Sequence, residues 1–104
     1  VVTSIKSYSR MERYSEIKKL VRWGELFLGD KLDGNRLILS VEDKPNKKFP
    51  AYHNLKVVVY NVKSRSEKTC MCGYEGTYRT VGEVDSMLDR LAVDFISKLS
   101  SYGV

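Results

Sequence analysis

The sequence predicts an α+β domain: an antiparallel meander of three to four strands carrying two helices on one face, in the order β-α-β-β-β-α. Three observations predict it. Val84, Met87, Leu88, Leu91, Ala92, Phe95, Leu99 and Tyr102 recur at helical spacing behind Thr80. Leu55 to Val62 alternates as a strand does. Turn residues such as Asp33-Gly34-Asn35 separate these segments from other short apolar runs. With 104 residues, 42% of them hydrophobic, the chain can build one core but not two, so residues 1–104 are read as a single domain.

Taken in order, Val1, Val2 and Ile5 read as a first strand, because β-branched residues suit a pleated surface. Ser9 and Glu12 have the spacing of a capping box, so a helix is expected to start there. Met11, Tyr14, Ile17, Leu20 and Val21 share one helical face, and Gly24 is expected to end or bend the helix. Glu25 to Leu32 reads as further helix in preference to a short extended piece. Asp33-Gly34-Asn35 tolerates left-handed backbone angles and forms a turn, with a strand over Arg36 to Val41 and a polar loop over Asp43 to Tyr52.

The central strand places Leu55, Val57 and Val59 on one face and Lys56, Val58, Tyr60 and Val62 on the other. Both faces read as covered, which predicts self-association or a second covering layer. Residues 61–68 form a hairpin, and Thr69 to Arg79 returns as a strand. Alternation groups Cys70, Cys72, Tyr74 and Tyr78 on one face of it. Gly73 and Gly76 mark bulges or the close approach of a helix. Thr80 and Glu83 form a second capping box, and Gly103 is expected to stop the last helix.

Eighteen Lys and Arg against thirteen Asp and Glu leave a net charge of +5, which favours acidic partners: nucleic acid, an anionic membrane surface or an acidic protein. No apolar run approaches the ~18 residues that span a bilayer, and none near residue 1 has the form of a signal peptide, so a soluble chain is expected. The chain opens on Val1 rather than Met, which is compatible with a targeting signal or anchor upstream. Cys70 and Cys72 stand too close for an easy disulfide, and free thiols favour a reducing compartment.

Catalytic chemistry finds little support. The single histidine, His53, has no nucleophile in a recognisable arrangement and reads as solvated or locally hydrogen-bonded. Cys70, Cys72 and His53 are soft ligands, but a closed zinc site needs a fourth, so the thiols read as small hydrophobes packed against the last helix. Gly73-x-x-Gly76 lies within a strand pattern and is no phosphate cradle. Glu83, Asp85 and Asp89 complement a helix dipole. No catalytic, metal or cofactor residues are therefore assigned, and the chain is expected not to be an enzyme.

Basic residues gather in three places: Arg10, Arg13, Lys18, Lys19 and Arg22; Lys44, Lys47 and Lys48; and Lys63, Arg65 and Lys68. Together they would make an anion-binding surface; apart, they are solvated edges that keep the sheet from pairing with others. Seven tyrosines exceed what one small core can hold, so some are expected at an interface. The expected partner-binding residues are Lys44, Lys47, Lys48, Tyr60, Lys63, Arg65, Lys68, Tyr74 and Tyr78.

Two resemblances follow. With the first helix added, the run of strand, strand, strand and helix from Arg36 to Leu99 resembles a double-stranded-RNA-binding domain. That family opens its last helix with lysines, where this chain has Thr80-Val81-Gly82-Glu83-Val84-Asp85. Leu55-Lys56-Val57-Val58-Val59-Tyr60-Asn61-Val62, a polar turn, Gly73-Tyr74-Glu75-Gly76-Thr77 and a closing amphipathic helix resemble the small globular domains of bacterial envelope lipoproteins. This second resemblance covers the last half of the chain. It implies a protein-binding or assembly domain in the periplasm or at the inner face of the outer membrane, partnered by other protein chains or by itself. A membrane would be reached only through an anchor upstream of Val1. The alternative expectation is a cytoplasmic RNA-binding module.

Overall fold

In a computed structural model the backbone is described for residues 2–102 and the side chains for residues 14–102. Helix α1 (Val2–Leu28) runs through a 3₁₀ turn (Gly29–Leu32) into strands β1 (Arg36–Pro45), β2 (His53–Val62) and β3 (Lys68–Tyr78), and α2 (Val81–Ser100) closes the chain. The sheet is antiparallel in the order β1-β2-β3. The α+β class therefore holds, in the order α-β-β-β-α with three strands.

The leading strand is corrected: residues 2–5 belong to α1, and Val1 lies outside the described residues. An extended segment needs a neighbour for its backbone N–H and C=O groups, whereas a helix satisfies them within itself. Ser9 and Glu12 consequently fall inside α1 rather than at its start, and their side chains lie outside the described residues.

Gly24 neither ends nor bends α1, which continues to Leu28. Its role is steric: a Cβ there would lie 2.4 Å from Phe95 Cζ, so the missing side chain lets the two helices meet. The turn after α1 is as expected, with Asp33 at φ 54° and Gly34 at φ 83°. Glu25 then ties helix to sheet, its Oε2 accepting the Leu37 backbone N–H at 2.8 Å.

Strand β1 runs beyond Val41, through Asp43 and Lys44 to Pro45, and leaves a shorter loop. Asn46 shapes that loop: its Oδ1 accepts from the Lys48 and Phe49 N–H groups at 2.9 and 3.0 Å. At α2 the Thr80 hydroxyl accepts from Glu83 N–H at 3.3 Å, as a capping box requires, while Glu83 Oε2 accepts from Arg79 N–H at 3.2 Å. Ser101 caps the far end of α2, and Gly103 lies outside the described residues.

Both helices lie on the face of the sheet that carries Leu55, Val57 and Val59. Ile17, Val21 and Leu28 from α1, and Val84, Leu88, Leu91, Phe95 and Leu99 from α2, close over these residues and over Leu37 and Cys72. Each fully buried aliphatic or aromatic side chain contributes about 1.5–3 kcal/mol of transfer free energy, which makes this layer the source of the fold's stability.

Candidate functional site

Among the described residues the opposite face of the sheet has no such cover. Along it, residues of β1, β2 and β3 alternate outward, and Arg36, Ile38, Glu42, Lys56, Lys68, Cys70, Gly73 and Glu75 are all exposed. The expectation that both faces of β2 are covered is thus half met. Within the described residues one face is buried by helices, while on the other only Val58, 7% exposed, is shielded by its neighbours.

Register sorts this open face into rows. At the hairpin end Arg36, Val62 and Lys68 stand abreast, followed by Ile38, Tyr60 and Cys70, and then by Ser40, Val58 and Gly73. Farther along come Glu42, Lys56 and Glu75. Two apolar rows are therefore bounded by a cationic row at one end and a mixed-charge row at the other.

The surface is also concave. A groove of ≈ 670 Å³ at the hairpin end has Ile38, Tyr60 and Val62 for its floor, with Arg36, Lys63, Arg65 and Lys68 around it; Arg36 Nε lies 3.7 Å from Glu25 Oε2 and Lys63 Nζ 3.8 Å from Glu67 Oε2, just outside the lining. A second hollow, ≈ 270 Å³, lies beside it over Val58 and Gly73. Lys68 Nζ sits 4.5 Å from the centroid of the Tyr60 ring, a cation–π contact across the β2–β3 pair. Ile38 is 44% exposed, a large aliphatic side chain presented to solvent in the middle of cations.

Of the residues expected to bind a partner, Tyr60, Lys63, Arg65 and Lys68 are brought together here. Lys44, Lys47 and Lys48 are not: they lie at the other end of the strands, around the β1–β2 loop. There, exposed Phe49 and Tyr52 meet edge to face, and the Arg79 guanidinium lies 5.9 Å from the Tyr52 ring. Lys18, Lys19 and Arg22 belong to the helical layer, and the side chains of Arg10 and Arg13 lie outside the described residues. The three basic clusters thus do not form one surface.

Tyr74 and Tyr78 are not brought into the groove: strand register places them on the helix-covered side, although Tyr74, on the edge strand, also lines the second hollow. Tyr78 is buried, 3% exposed, and donates its hydroxyl to Asp43 Oδ2 at 2.6 Å. Tyr74 is half-buried against α2, its hydroxyl accepting from Arg90 Nη1 at 3.2 Å. Cys70 and Cys72 are also separated. A bulge between Val59 and Tyr60 leaves Met71 unpaired, so Cys72 pairs with Val59 while Cys70 pairs with Tyr60. Cys72 is buried, Cys70 exposed, and both thiols are free. Burial, with Cys70 and Asp94 adding to it, pushes the Cys72 thiol from 9.0 up to about 11.

His53 occupies the far end of β2 from Tyr60 and Cys70. Its Nδ1 lies 3.3 Å from Asp43 Oδ1, and its ring stacks on Tyr78 at 5.3 Å. The Tyr14 hydroxyl reaches Asp43 Oδ2 at 3.5 Å. This cluster ties α1 to all three strands and does not include the cysteines. Among the described residues no group of three or more His, Cys, Asp or Glu side chains is placed to hold a metal ion, and no helix is long and apolar enough to cross a membrane.

Sequence reasoning missed Arg36, Ile38 and Val58 as parts of this site. Their grouping depends on the β1–β2 register, which a single strand's pattern does not contain. Comparison with known families, curated proteins and solved structures found no match for the chain.

Proposed function

We propose that this chain is a non-enzymatic binding domain that docks another protein chain on the uncovered face of its sheet. One observation carries the reading: Ile38, Tyr60 and Val62 form an apolar floor, open to solvent, inside a ring of cations. A contiguous apolar patch rimmed by charge, here Ile38 with Tyr60 and Val62, is the kind of feature that a protein interface covers, unlike a hydrophobic residue exposed singly. An assembly role in the cell envelope is the setting that the resemblance of the last half of the chain implies.

The test is selection of peptides from a random library displayed on phage, followed by re-probing on an Ile38→Glu variant. Peptides that bind the wild type and lose the variant support the reading. Peptides that bind both equally contradict it, as does a selection that recovers none.

A second reading, an RNA-binding module, is favoured by the gathering of Lys44, Lys47, Lys48 and Arg79 around exposed Phe49 and Tyr52. Cations interleaved with aromatics suit a phosphate backbone with stacked bases. Glu83 in the first turn of α2, beside that loop end, opposes it. Salt-sensitive binding of double-stranded RNA that is lost in a Lys47→Glu/Lys48→Glu variant would establish this reading in place of the first.

A further inference from the structure

Resting on the protein-docking reading, we infer that the occupant of the uncovered face is an acidic amphipathic segment, with its carboxylates at the hairpin end and its apolar side chains on Ile38 and in the hollow at Gly73. The charge order of the face argues for this. Arg65 and Lys68 stand at one end of the groove beside Arg36 and Lys63, which face Glu25 and Glu67 at 3.7 and 3.8 Å and leave that end with a net positive charge, whereas Glu42 and Glu75 flank Lys56 farther along. Carboxylates are attracted at one end and repelled at the other, so the surface selects both a composition and a direction.

The floor argues for a peptide over a single-stranded nucleic acid. Platforms for bare bases lay successive rings on several aromatic side chains. Among the described residues this face presents Tyr60, whose ring the Lys68 ammonium already covers, and only the edge of Tyr74 at the second hollow, not a run of stacked rings. What remains is aliphatic, namely Ile38 and half-buried Val62, with Gly73 leaving a hollow that a partner's side chain can enter. A continuous phosphate backbone along the sheet would also run onto Glu42 and Glu75. A second copy of this chain seated antiparallel would set the cationic row of one against the Glu42, Lys56 and Glu75 row of the other, so light scattering accompanies the titrations, and a wild-type dimer that is lost in Ile38→Glu overturns the inference in favour of self-association.

The experiment uses the peptides recovered from the random library, resynthesised with a fluorescent label, and a labelled single-stranded RNA as the competing probe. Binding is measured by anisotropy at low and high salt on the wild type, on Ile38→Glu and on Arg65→Glu/Lys68→Glu. The charge reversal alters only exposed hairpin side chains and so preserves the core; circular dichroism confirms the fold of each variant. The inference expects peptides that combine Asp or Glu with apolar residues. Their affinity should fall about tenfold or more on charge reversal and should weaken with salt.

Peptides that lose Ile38→Glu yet carry no acidic residues and ignore the charge reversal overturn the inference and leave the docking reading standing. Peptides indifferent to Ile38→Glu, or a selection that recovers none, overturn both. RNA that binds this face more tightly than any peptide overturns the inference in favour of nucleic acid.

Discussion

Gly24 and Phe95 occupy what is in effect one residue's space: a Cβ built on Gly24 would lie 2.4 Å from Cζ and 2.7 Å from Cε2 of the Phe95 ring. Phe95 is 1% exposed and has nowhere to move. Gly24→Ala should therefore destabilise the domain by about 1–2 kcal/mol, because overpacking outweighs the roughly 1 kcal/mol of helix propensity gained. Urea unfolding measures it. In a Phe95→Leu background the same substitution should become neutral or stabilising, and an unchanged penalty there would refute the steric account.

Asp43 is the second anchor between layers. Tyr78→Phe removes the 2.6 Å hydrogen bond to its carboxylate and leaves the ring in place. A loss of about 1.5–3 kcal/mol is expected, as for a hydrogen bond to a charged group, read as a lower urea midpoint at unchanged slope. A loss too small to measure would show that Asp43 is held by its other contacts alone.

The two thiols should behave differently. In the native protein Cys70 is expected to react with a thiol reagent at once and Cys72 only upon unfolding, since one is exposed and the other buried. The raised Cys72 value also has a consequence for stability. A thiol that ionises at 9.0 when unfolded and at about 11 when folded favours the folded state's protonated form. Its contribution is fully present below pH 9.0 and is lost as pH rises towards about 11, where the unfolded state has already released its proton. Cys72→Ala should flatten that alkaline decline relative to wild type, and equal slopes in the two proteins would contradict the assignment.

Much of this architecture was legible in the chain. The spacing from Val84 to Leu99 and the Thr80–Glu83 box define α2 without help, and Asp33-Gly34-Asn35 marks the turn into β1. The first helix was harder, since Val2 and Ile5 favour strands by propensity while the fold keeps them helical. Gly24 misled for a related reason: glycine marks a helix end in sequence statistics, and only the position of Phe95 shows that it marks a contact.

The site was legible in part. Tyr60, Lys63, Arg65 and Lys68 are neighbours in sequence and stay so in space, whereas Arg36 and Ile38 join them through strand pairing. Cys70 was misassigned by simple alternation, while Cys72, Tyr74 and Tyr78 do share one face. One unpaired residue, Met71, shifts the phase of β3 so that Cys70 falls on the face opposite Tyr78.

Exposed position 38 also allows a stability prediction that separates folding from binding. Ile38→Glu places a carboxylate at a 44% exposed site flanked by cations, so its unfolding free energy should stay within about 0.5–1 kcal/mol of wild type. A large loss in thermal or urea unfolding would show that Ile38 belongs to the core and not to a docking surface.

The most direct test of the central claim is an amide NMR titration of the domain with a peptide recovered from the library. The account expects the largest shifts at Ile38, Val58, Tyr60 and Val62 and at the hairpin cations, with the β1–β2 loop left unmoved. Shifts centred on Lys47, Lys48 and Arg79, with the uncovered face silent, would contradict it.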